Sequence, residues 1–481
     1  MKAETIRSAC RGCHGGCGVL VKVQDNQVRE ITGDPDSPIN RGKLCVKGKY
    51  YHTITHHPLR LTHPLRRQGA GWEKVTWDEA FREITDRFLK LREHHGPESL
   101  VLGYGTGRDN ESFIYRFANL FGTPNVLTAG HMCYGPRVTT GIIRCGNLPV
   151  VDYEGGPGLV IAWGANPLVS NPDEYKGFDL ADALKKGTRL VVVDPRRTFL
   201  AKSADLWLPL RPGTDGALAW GMLNAIIAHQ WYDQDFVTQH VHGWDEFCRR
   251  AKDFHLEWAA GLTGLDQELI VEAARLYTHT PPAGLHWGVA LEQSRNCINN
   301  ISLLISLMAV SGNLDRPGGN VFYPRPPILS ASNIGLHRRL LTADRRLGGN
   351  RFRLADMIGV INPRVVWDAI LEEKPYPVKA LFLISTNPLI TRANARMVKT
   401  ALEKVDFLVV ADFFMTPTAR EADLVLPSAT WLEVDYVADL WKRHGYALAR
   451  QKTVQVGEAR SDYEILNELG RRCTDPVDWW P

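Results

Sequence analysis

Short, uninterrupted apolar runs alternate with amphipathic stretches of helical length along most of the chain. Leu159-Val160-Ile161-Ala162-Trp163, Leu190-Val191-Val192-Val193 and Ala380-Leu381-Phe382-Leu383-Ile384 are too short for helices and show no polar alternation. That is the pattern of strands buried on both faces of a parallel sheet. Thr76-Trp77-Asp78-Glu79 is a capping box, and Phe81, Ile84, Phe88 and Leu91 behind it share one face, predicting a helix that runs to Gly96. Ser99-Leu100-Val101-Leu102-Gly103 then reads as a strand ending in glycine. Before residue 60 the chain is short-segmented and glycine-rich. Val19–Val23 and Val28–Ile31 there predict a small hairpin turning at Asp25-Asn26.

The pattern contains an internal repeat. Leu159 through Trp163 continues Gly164-Ala165-Asn166-Pro167-Leu168, and Ala380 through Ile384 continues Ser385-Thr386-Asn387-Pro388-Leu389. Each copy is followed by a helix-length stretch and a strand ending in an aspartate, Asp194 or Asp412. A second matching block then follows at equal distance, Ala201-Lys202-Ser203-Ala204-Asp205-Leu206-Trp207-Leu208-Pro209 against Ala419-Arg420-Glu421-Ala422-Asp423-Leu424-Val425-Leu426-Pro427. Two separate blocks matching in order predict two homologous α/β domains.

Ligands of open α/β sheets sit outside the carboxyl ends of the strands, where Gly164, Asn166, Asp194, Ser385, Asn387 and Asp412 fall. Glycine admits close phosphate approach, and a carboxylate accepts from ribose hydroxyls or a guanine amino face. Paired domains therefore suggest two equivalent nucleotides. Pro195 and Arg196 follow Asp194 and add positive charge suited to a pyrophosphate. A single Asn-Pro would be read as turn punctuation, but the paired pattern weakens that reading. No Gly-x-Gly-x-x-Gly follows a strand, and no Gly-x-x-x-x-Gly-Lys-Ser/Thr loop is present, which argues against an ordinary nicotinamide site or a phosphate loop.

Composition adds bounds. With 481 residues, 44% hydrophobic and 23% charged, the chain has the balance of a globular protein of two or three domains. A net charge of +4 does not suggest a nucleic-acid partner. No apolar run approaches a membrane span, and Met1-Lys2-Ala3-Glu4-Thr5 lacks the features of a signal peptide, so a cytoplasmic location is expected.

Four of the nine cysteines, Cys10, Cys13, Cys17 and Cys45, lie within the first 45 residues. Three thiols in one tight glycine-rich loop plus a distant fourth suit a [4Fe–4S] cubane. Structural zinc is the alternative, but it usually takes two close cysteine pairs, and Cys45 has no close partner. Lys47, just beyond Cys45, is a candidate cation between such a cluster and a second redox cofactor.

These features together resemble the molybdopterin oxidoreductase (dimethyl sulfoxide reductase) family. The matching residues are Cys10 through Cys17, Gly42-Lys43-Leu44-Cys45-Val46-Lys47-Gly48, Trp163-Gly164-Ala165-Asn166, Val193-Asp194-Pro195-Arg196-Arg197-Thr198, Arg211-Pro212-Gly213-Thr214-Asp215 and Asp412-Phe413-Phe414-Met415-Thr416-Pro417-Thr418. The look is closest to the acetylene hydratase and formate dehydrogenase-like members. The resemblance implies two molybdopterin guanine dinucleotides chelating one Mo or W ion. Gly213, Asp215, Trp287, Gly288 and Thr416 join the strand-end residues as implied cofactor contacts. Cys133, in Gly130-His131-Met132-Cys133-Tyr134-Gly135, stands at the place of the metal's protein ligand. Catalytic candidates are Cys133, Lys47, His14 and Arg325. His131, Tyr134, Arg137, Trp287 and Arg325 are candidate pocket residues. His14 occupies the position, directly after the second cluster cysteine, of the hydratase's catalytic aspartate. An imidazole is no equivalent of a protonated carboxyl, which speaks against hydration; its own chemistry suits proton shuttling.

The expected fold class is therefore α/β, with a small N-terminal iron–sulfur domain followed by two homologous Rossmann-like parallel-sheet domains. Expected boundaries are 1–60 for the cluster domain, 61–150 with 315–375 for a mixed α/β domain, and 151–314 and 376–470 for the two dinucleotide-binding domains. The family's C-terminal β-barrel domain would start near where the chain stops, so a separate chain is a candidate source of it. The implied function is the catalytic subunit of an oxidoreductase acting on a small-molecule substrate, passing electrons through the cluster to an iron–sulfur partner subunit. The rivals are a non-redox tungsten hydratase and a non-catalytic electron-transfer subunit.

Overall fold

The computed structural model describes residues 3–106, 109–169, 176–324, 334–336, 345–352, 357, 359–439, 446–475 and 479. Arg325 lies outside them. In chain order the strands are β1 Glu4–Ala9, β2 Gly18–Gln24, β3 Gln27–Gly33, β4 Leu65–Gln68, β5 Gly71–Lys74, β6 Leu100–Tyr104, β7 Val126–Leu127, β8 Val150–Val151, β9 Leu159–Trp163, β10 Arg189–Val193, β11 Leu206–Leu208, β12 Ala283–Trp287, β13 Asn320–Val321, β14 Ala380–Ile384, β15 Phe407–Asp412, β16 Leu424–Pro427, β17 Tyr436–Asp439 and β18 Ala447–Arg450. They belong to two compact units. The first gathers the described residues up to His131 and from 334 onward, and the second holds those of 132–324.

In the first unit, β1-β2-β3 form an antiparallel sheet. Asp25 and Asn26, both at positive φ, make the β2–β3 turn, as a two-residue hairpin requires. A seven-stranded sheet follows, in the order β5-β4-β16-β15-β14-β6-β7. Its five strands β16 to β7 run parallel, and both faces are covered. Phe81, Ile84 and Phe88 of the helix Trp77–His95 pack on one face with the helices Glu111–Phe121 and Asp462–Cys473. The helices Pro363–Glu372 and Ala395–Lys404 cover the other. Thr76 and Glu79 close the capping box that starts the first of these helices.

The second unit is built on a four-stranded parallel sheet, β11-β10-β9-β12. Ile161, Val191 and Leu285 face the helices Asp215–Ala228, Gln267–His279 and Cys297–Val310, and Val160 and Val192 face the opposite layer. Among the described residues there is no closed barrel and no helix long and apolar enough to cross a membrane.

The repeat is visible as topology. β11-β10-β9 and β16-β15-β14 are equivalent, and each order continues onto a further parallel strand, β12 or β6. Within each copy the same backbone tie recurs. Asp205 accepts from the Leu190 N–H and Asp423 from the Leu408 N–H, both at 2.8 Å. The expected separation of 61–150 from 376–470 differs from the sheet that forms. β6 pairs with β14 along all five residues, because an apolar strand such as Leu100–Tyr104 must be buried on both edges and faces.

Candidate functional site

The cysteine loop is held by the first sheet. β1 delivers Cys10 and β2 begins after Cys17, and the Cys10 N–H donates to the Cys17 carbonyl at 2.8 Å. Cys10, Cys13 and Cys17 are buried and Cys45 is half-buried. Gly12 and Gly15 donate their N–H groups to the sulfurs of Cys10 (3.4 Å) and Cys13 (3.3 Å). Burial pushes the Cys10 thiol up to about 12, against the Gly12 amide, and the neighbouring Cys13 and Cys45 push it further. Burial likewise raises Cys17, helped by Cys10, Cys13 and Cys45. Cys13 and Cys45 are thus close enough to act on both Cys10 and Cys17. Yet among the described residues no three Cys, His, Asp or Glu side chains converge as ligands of a single ion. Backbone amides are aimed at two of the sulfurs, as at thiols that bear charge.

The Cys45 arm depends on one close approach. A Cβ on Gly33 would stand 2.2 Å from the Gly42 carbonyl oxygen, so only glycine lets this loop fold back. Lys47 is exposed on the short helix Val46–Lys49 directly after Cys45. His14 is half-buried, its Nε2 3.3 Å from the Thr106 carbonyl oxygen.

At the carboxyl ends of both parallel sheets the repeat residues adopt matching conformations. Gly164 (φ +57°) donates to the Val193 carbonyl and Ser385 (φ +51°) to the Ala411 carbonyl, each at 2.8 Å. The next strand comes close enough to demand glycine. A Cβ on Gly288 would lie 2.1 Å from the Gly164 oxygen, and one on Gly105 would lie 2.3 Å from the Ser385 oxygen. Thr198 caps Ala201 at 3.1 Å, and Thr416 does the same for Ala419 at 3.2 Å. Gly105 has no counterpart in the sequence repeat, because β6 precedes its copy while β12 follows.

Around this shared frame the chemistry differs. Asp194 is buried, accepts from the Arg196 N–H at 2.8 Å, and has the exposed Arg196 guanidinium 3.7 Å away; Pro195 is exposed. Asp412 accepts from the Phe413 N–H at 2.6 Å, and burial pushes its carboxyl up to about 6. Asn387 accepts from the Thr418 hydroxyl at 2.6 Å, and Asn166 is half-buried after Gly164. Gly213 (φ +86°) is exposed ahead of Asp215, which accepts from the Trp163 indole at 2.9 Å.

Cys133 is half-buried, at the junction between the turn Ala129–Met132 and the helix Gly135–Cys145. That helix is locked to β12 by a buried pair. Arg137 bonds Glu292 through Nε and reaches the Trp287 carbonyl and the Tyr134 hydroxyl, both at 3.2 Å. Its guanidinium lies 4.4 Å from the Tyr134 ring centre and 5.0 Å from that of Trp287. Tyr134, Arg137, Leu148, His286 and Trp287 line one cleft. His131, in the first unit, has its ring nitrogen 3.0 Å from the Thr128 carbonyl, and burial brings it down to about 4, so it is a neutral imidazole at pH 7.

Three polar groups escaped the sequence reading. Glu292 is one. The second is Asp462, pushed up to about 6 by burial and bonded to Asn110 (2.8 Å) and Ser428 (3.1 Å). The third is the ion cluster Arg11–Asp109–Arg450. Only Arg11, between two cysteines, carried a signal in sequence.

Comparison with known proteins agrees with this arrangement. A family model described as Molybdopterin oxidoreductase Fe4S4 domain matches residues 3–57, and one described as Molybdopterin oxidoreductase matches residues 60–472. The chain is 32% identical to acetylene hydratase of Syntrophotalea acetylenica, over 96% of this chain and 68% of that protein. It is 28% identical to the F420-dependent formate dehydrogenase subunit alpha of Methanocaldococcus jannaschii, over 98% of this chain and 71% of that one. The solved structure of acetylene hydratase from Pelobacter acetylenicus superposes with a TM-score of 0.90 at 30% identity, covering 97% of this chain and 69% of that one. The chain therefore spans about two thirds of the length of the relatives it matches, and it belongs to the molybdopterin oxidoreductase family of enzymes.

Proposed function

We propose that this chain is the cofactor-bearing core of a molybdenum or tungsten bis(molybdopterin guanine dinucleotide) enzyme of the acetylene hydratase type, adding water to a small unsaturated substrate without net electron transfer. The likeness to acetylene hydratase carries this reading, since sequence and backbone agree over nearly the whole chain. It reverses the weighting of the sequence reading, in which a redox reaction came first.

Cys10, Cys13, Cys17 and Cys45 would hold a [4Fe–4S] cluster. Gly164, Asn166, Asp194, Pro195, Arg196, Gly213, Asp215, Trp287 and Gly288 would receive one dinucleotide, and Ser385, Asn387, Asp412 and Thr416 the other. Cys133 would ligate the metal, and Lys47 would stand between cluster and pterin. When bound, the metal supplies Lewis acidity toward water or, in a redox reaction, two-electron exchange. The left-handed turns at Gly164 and Ser385 expose backbone at the strand ends, and Asp194 and Asp412 offer acceptors for donor groups of a nucleotide. His131, neutral at pH 7, is suited to hydrogen bonding without adding charge.

His14 favours a second reading, a two-electron oxidoreductase working with an electron-transfer partner subunit. His14 stands directly after the second cluster cysteine, where the hydratase carries its catalytic aspartate, and an imidazole is no equivalent of a protonated carboxyl. One experiment separates the readings. Anaerobically prepared protein is analysed for iron, Mo, W and guanine, then supplied with acetylene without an electron acceptor, and with formate plus a dye acceptor. Aldehyde formation from acetylene supports hydration; dye reduction without it supports the redox reading. Iron without Mo, W or guanine would overturn both.

A further inference from the structure

One cation at the carboxyl edge of the first unit's sheet lacks a counter-charge, and neither reading above uses it. Beyond β14 the chain turns left-handed at Ser385, enters the short helix Pro388–Thr391 at Asn387, and leaves it at Arg392. Arg392 is half-buried, and its Nε is closed off from solvent with no acceptor in reach. Among the described residues no carboxylate pairs with its guanidinium. Burial lowers its pKa, and no acid acts against that.

The surroundings do little to neutralise it. From Ser385 to Leu402 the chain carries Arg392, Arg396 and Lys399 and no aspartate or glutamate. The order β15-β14-β6-β7 sets the ends of four parallel strands side by side. After β15, Asp412 accepts from its neighbouring Phe413 amide. After β6, Asp109 is held by Arg11 and Arg450. After β7, Thr128 donates to the Gly105 carbonyl at 2.9 Å, and Thr128-Ala129-Gly130-His131 brings no acid.

Taking a charge out of water without a partner is costly, and a buried donor without an acceptor calls for an occupant. The planar guanidinium fork matches the oxygens of a phosphate or a carboxylate. The carboxyl edge of an open parallel sheet is also where its ligands sit. The cation belongs to one copy of the repeat alone. Five residues beyond Asn387 stands Arg392, and five beyond Asn166 stands Asn171.

We propose that Arg392 is an anion-binding residue, whose guanidinium takes one oxyanion group, a phosphate or a carboxylate, at the carboxyl edge of the first unit's sheet. This goes beyond the function proposed above, which gives Arg392 no part. Two sources carry such a group: a phosphate of a bound dinucleotide, and a free small oxyanion.

The test is calorimetric titration of the full chain with inorganic phosphate and with acetate, in wild type, Arg392→Gln, Arg392→Lys and Arg396→Gln, with acid-released guanine counted in each preparation. If the group is a free oxyanion, phosphate or acetate binds the wild type as isolated, one per chain, and Arg392→Gln weakens this by about tenfold or more with guanine unchanged. If the group is a dinucleotide phosphate, the wild type as isolated takes up neither probe, and guanine per chain falls in Arg392→Gln. Arg392→Lys keeps the charge but not the fork, so it should fall between the two in either case, and it carries the comparison should Arg392→Gln fail to fold. Arg396 is exposed on the helix that follows, and Arg396→Gln should behave as wild type. Equal probe affinities and equal guanine contents in wild type and Arg392→Gln would overturn the proposal. So would an equal loss in Arg396→Gln, which would mark a diffuse attraction to surface charge. Wild type without guanine would instead count against the dinucleotide reading, and the phosphate titration would still decide the role of Arg392.

Discussion

Replacing Glu292 by glutamine should destabilise the second unit far more than its size change suggests. The carboxylate is fully buried and pairs with Arg137, which is 11% exposed, and it also accepts from the Trp287 indole at 3.2 Å. Glutamine fills the same volume but leaves the guanidinium without a counter-charge. Removing one partner of a buried pair costs about 3–5 kcal/mol. Arg137→Met in the wild-type background should cost a similar amount, because it strands the carboxylate. The double variant Arg137→Met/Glu292→Leu should be much milder. It loses two ring contacts worth about 0.5–1 kcal/mol each, and it relieves Glu292 Oε2, which has no partner among the described residues. With Glu292→Leu, which strands Arg137 in the same way, as the matching single variant, the coupling energy should therefore be at least about 3 kcal/mol. A chain of two units need not unfold in one step, so amide hydrogen exchange across Gly135–Cys145 and Ala283–Trp287 is the suitable assay, reading opening of this packing locally. Glu292→Gln within about 1 kcal/mol of wild type, or a double variant as costly as the sum, would refute the reasoning. Because the pair fixes the helix beginning two residues after Cys133, the single variants should also lose Mo or W before they lose iron.

Two further outcomes follow from the first unit. Asp462, raised to about 6 against an ordinary 3.8, is protonated more readily in the folded than in the unfolded chain, so its contribution to stability is full below about pH 4 and is lost as pH rises through 6. Asp462→Asn should therefore be more stable than wild type at pH 7, by up to about 3 kcal/mol, with the gap closing by pH 4; denaturant titrations at the two pH values check it, and a gap independent of pH would count against it. Gly33→Ala forces its methyl onto the Gly42 carbonyl, so it should reduce iron retention while leaving far-ultraviolet circular dichroism close to wild type, and unchanged iron content would show that the Cys45 arm has slack.

What the sequence made legible was local. The buried strands are written as apolar runs, since a strand covered on both faces has no polar position to interrupt it. The cysteine site was legible because three donors lie within one loop and flanking glycines mark close approach. The capping box at Thr76 and the Asp25-Asn26 turn were readable for the same reason, each being decided within four residues. Arg137 and Glu292, by contrast, look like two ordinary surface charges until the fold brings them together, as do Arg11, Asp109 and Arg450. Composition assigns charged residues to the surface by default, and nothing in spacing reveals a burial decided by tertiary packing. The seven-stranded sheet was hidden for a related reason: β6 and β14 are joined across most of the chain, and pairing over such a distance leaves no periodic trace.

The repeat shows where duplication ends and specialisation begins. Backbone-determined features are shared: the left-handed turn after β9 and β14, the glycine forced on the adjacent strand at Gly288 and Gly105, the threonine caps at Thr198 and Thr416, and the aspartate ties from Asp205 and Asp423. Side-chain electrostatics are not shared. Asp194 faces solvent-exposed arginine, whereas Asp412 is buried enough to be raised to about 6, with Asp462 raised likewise nearby in the same electrostatic set. A carboxyl near 6 exchanges its proton close to neutrality and becomes a donor when protonated. Two sheets of one descent thus offer chemically unequal ends, and two identical nucleotides placed there would be held by different forces. The sequence repeat announces the equivalence, but the inequality arises only from what each copy packs against.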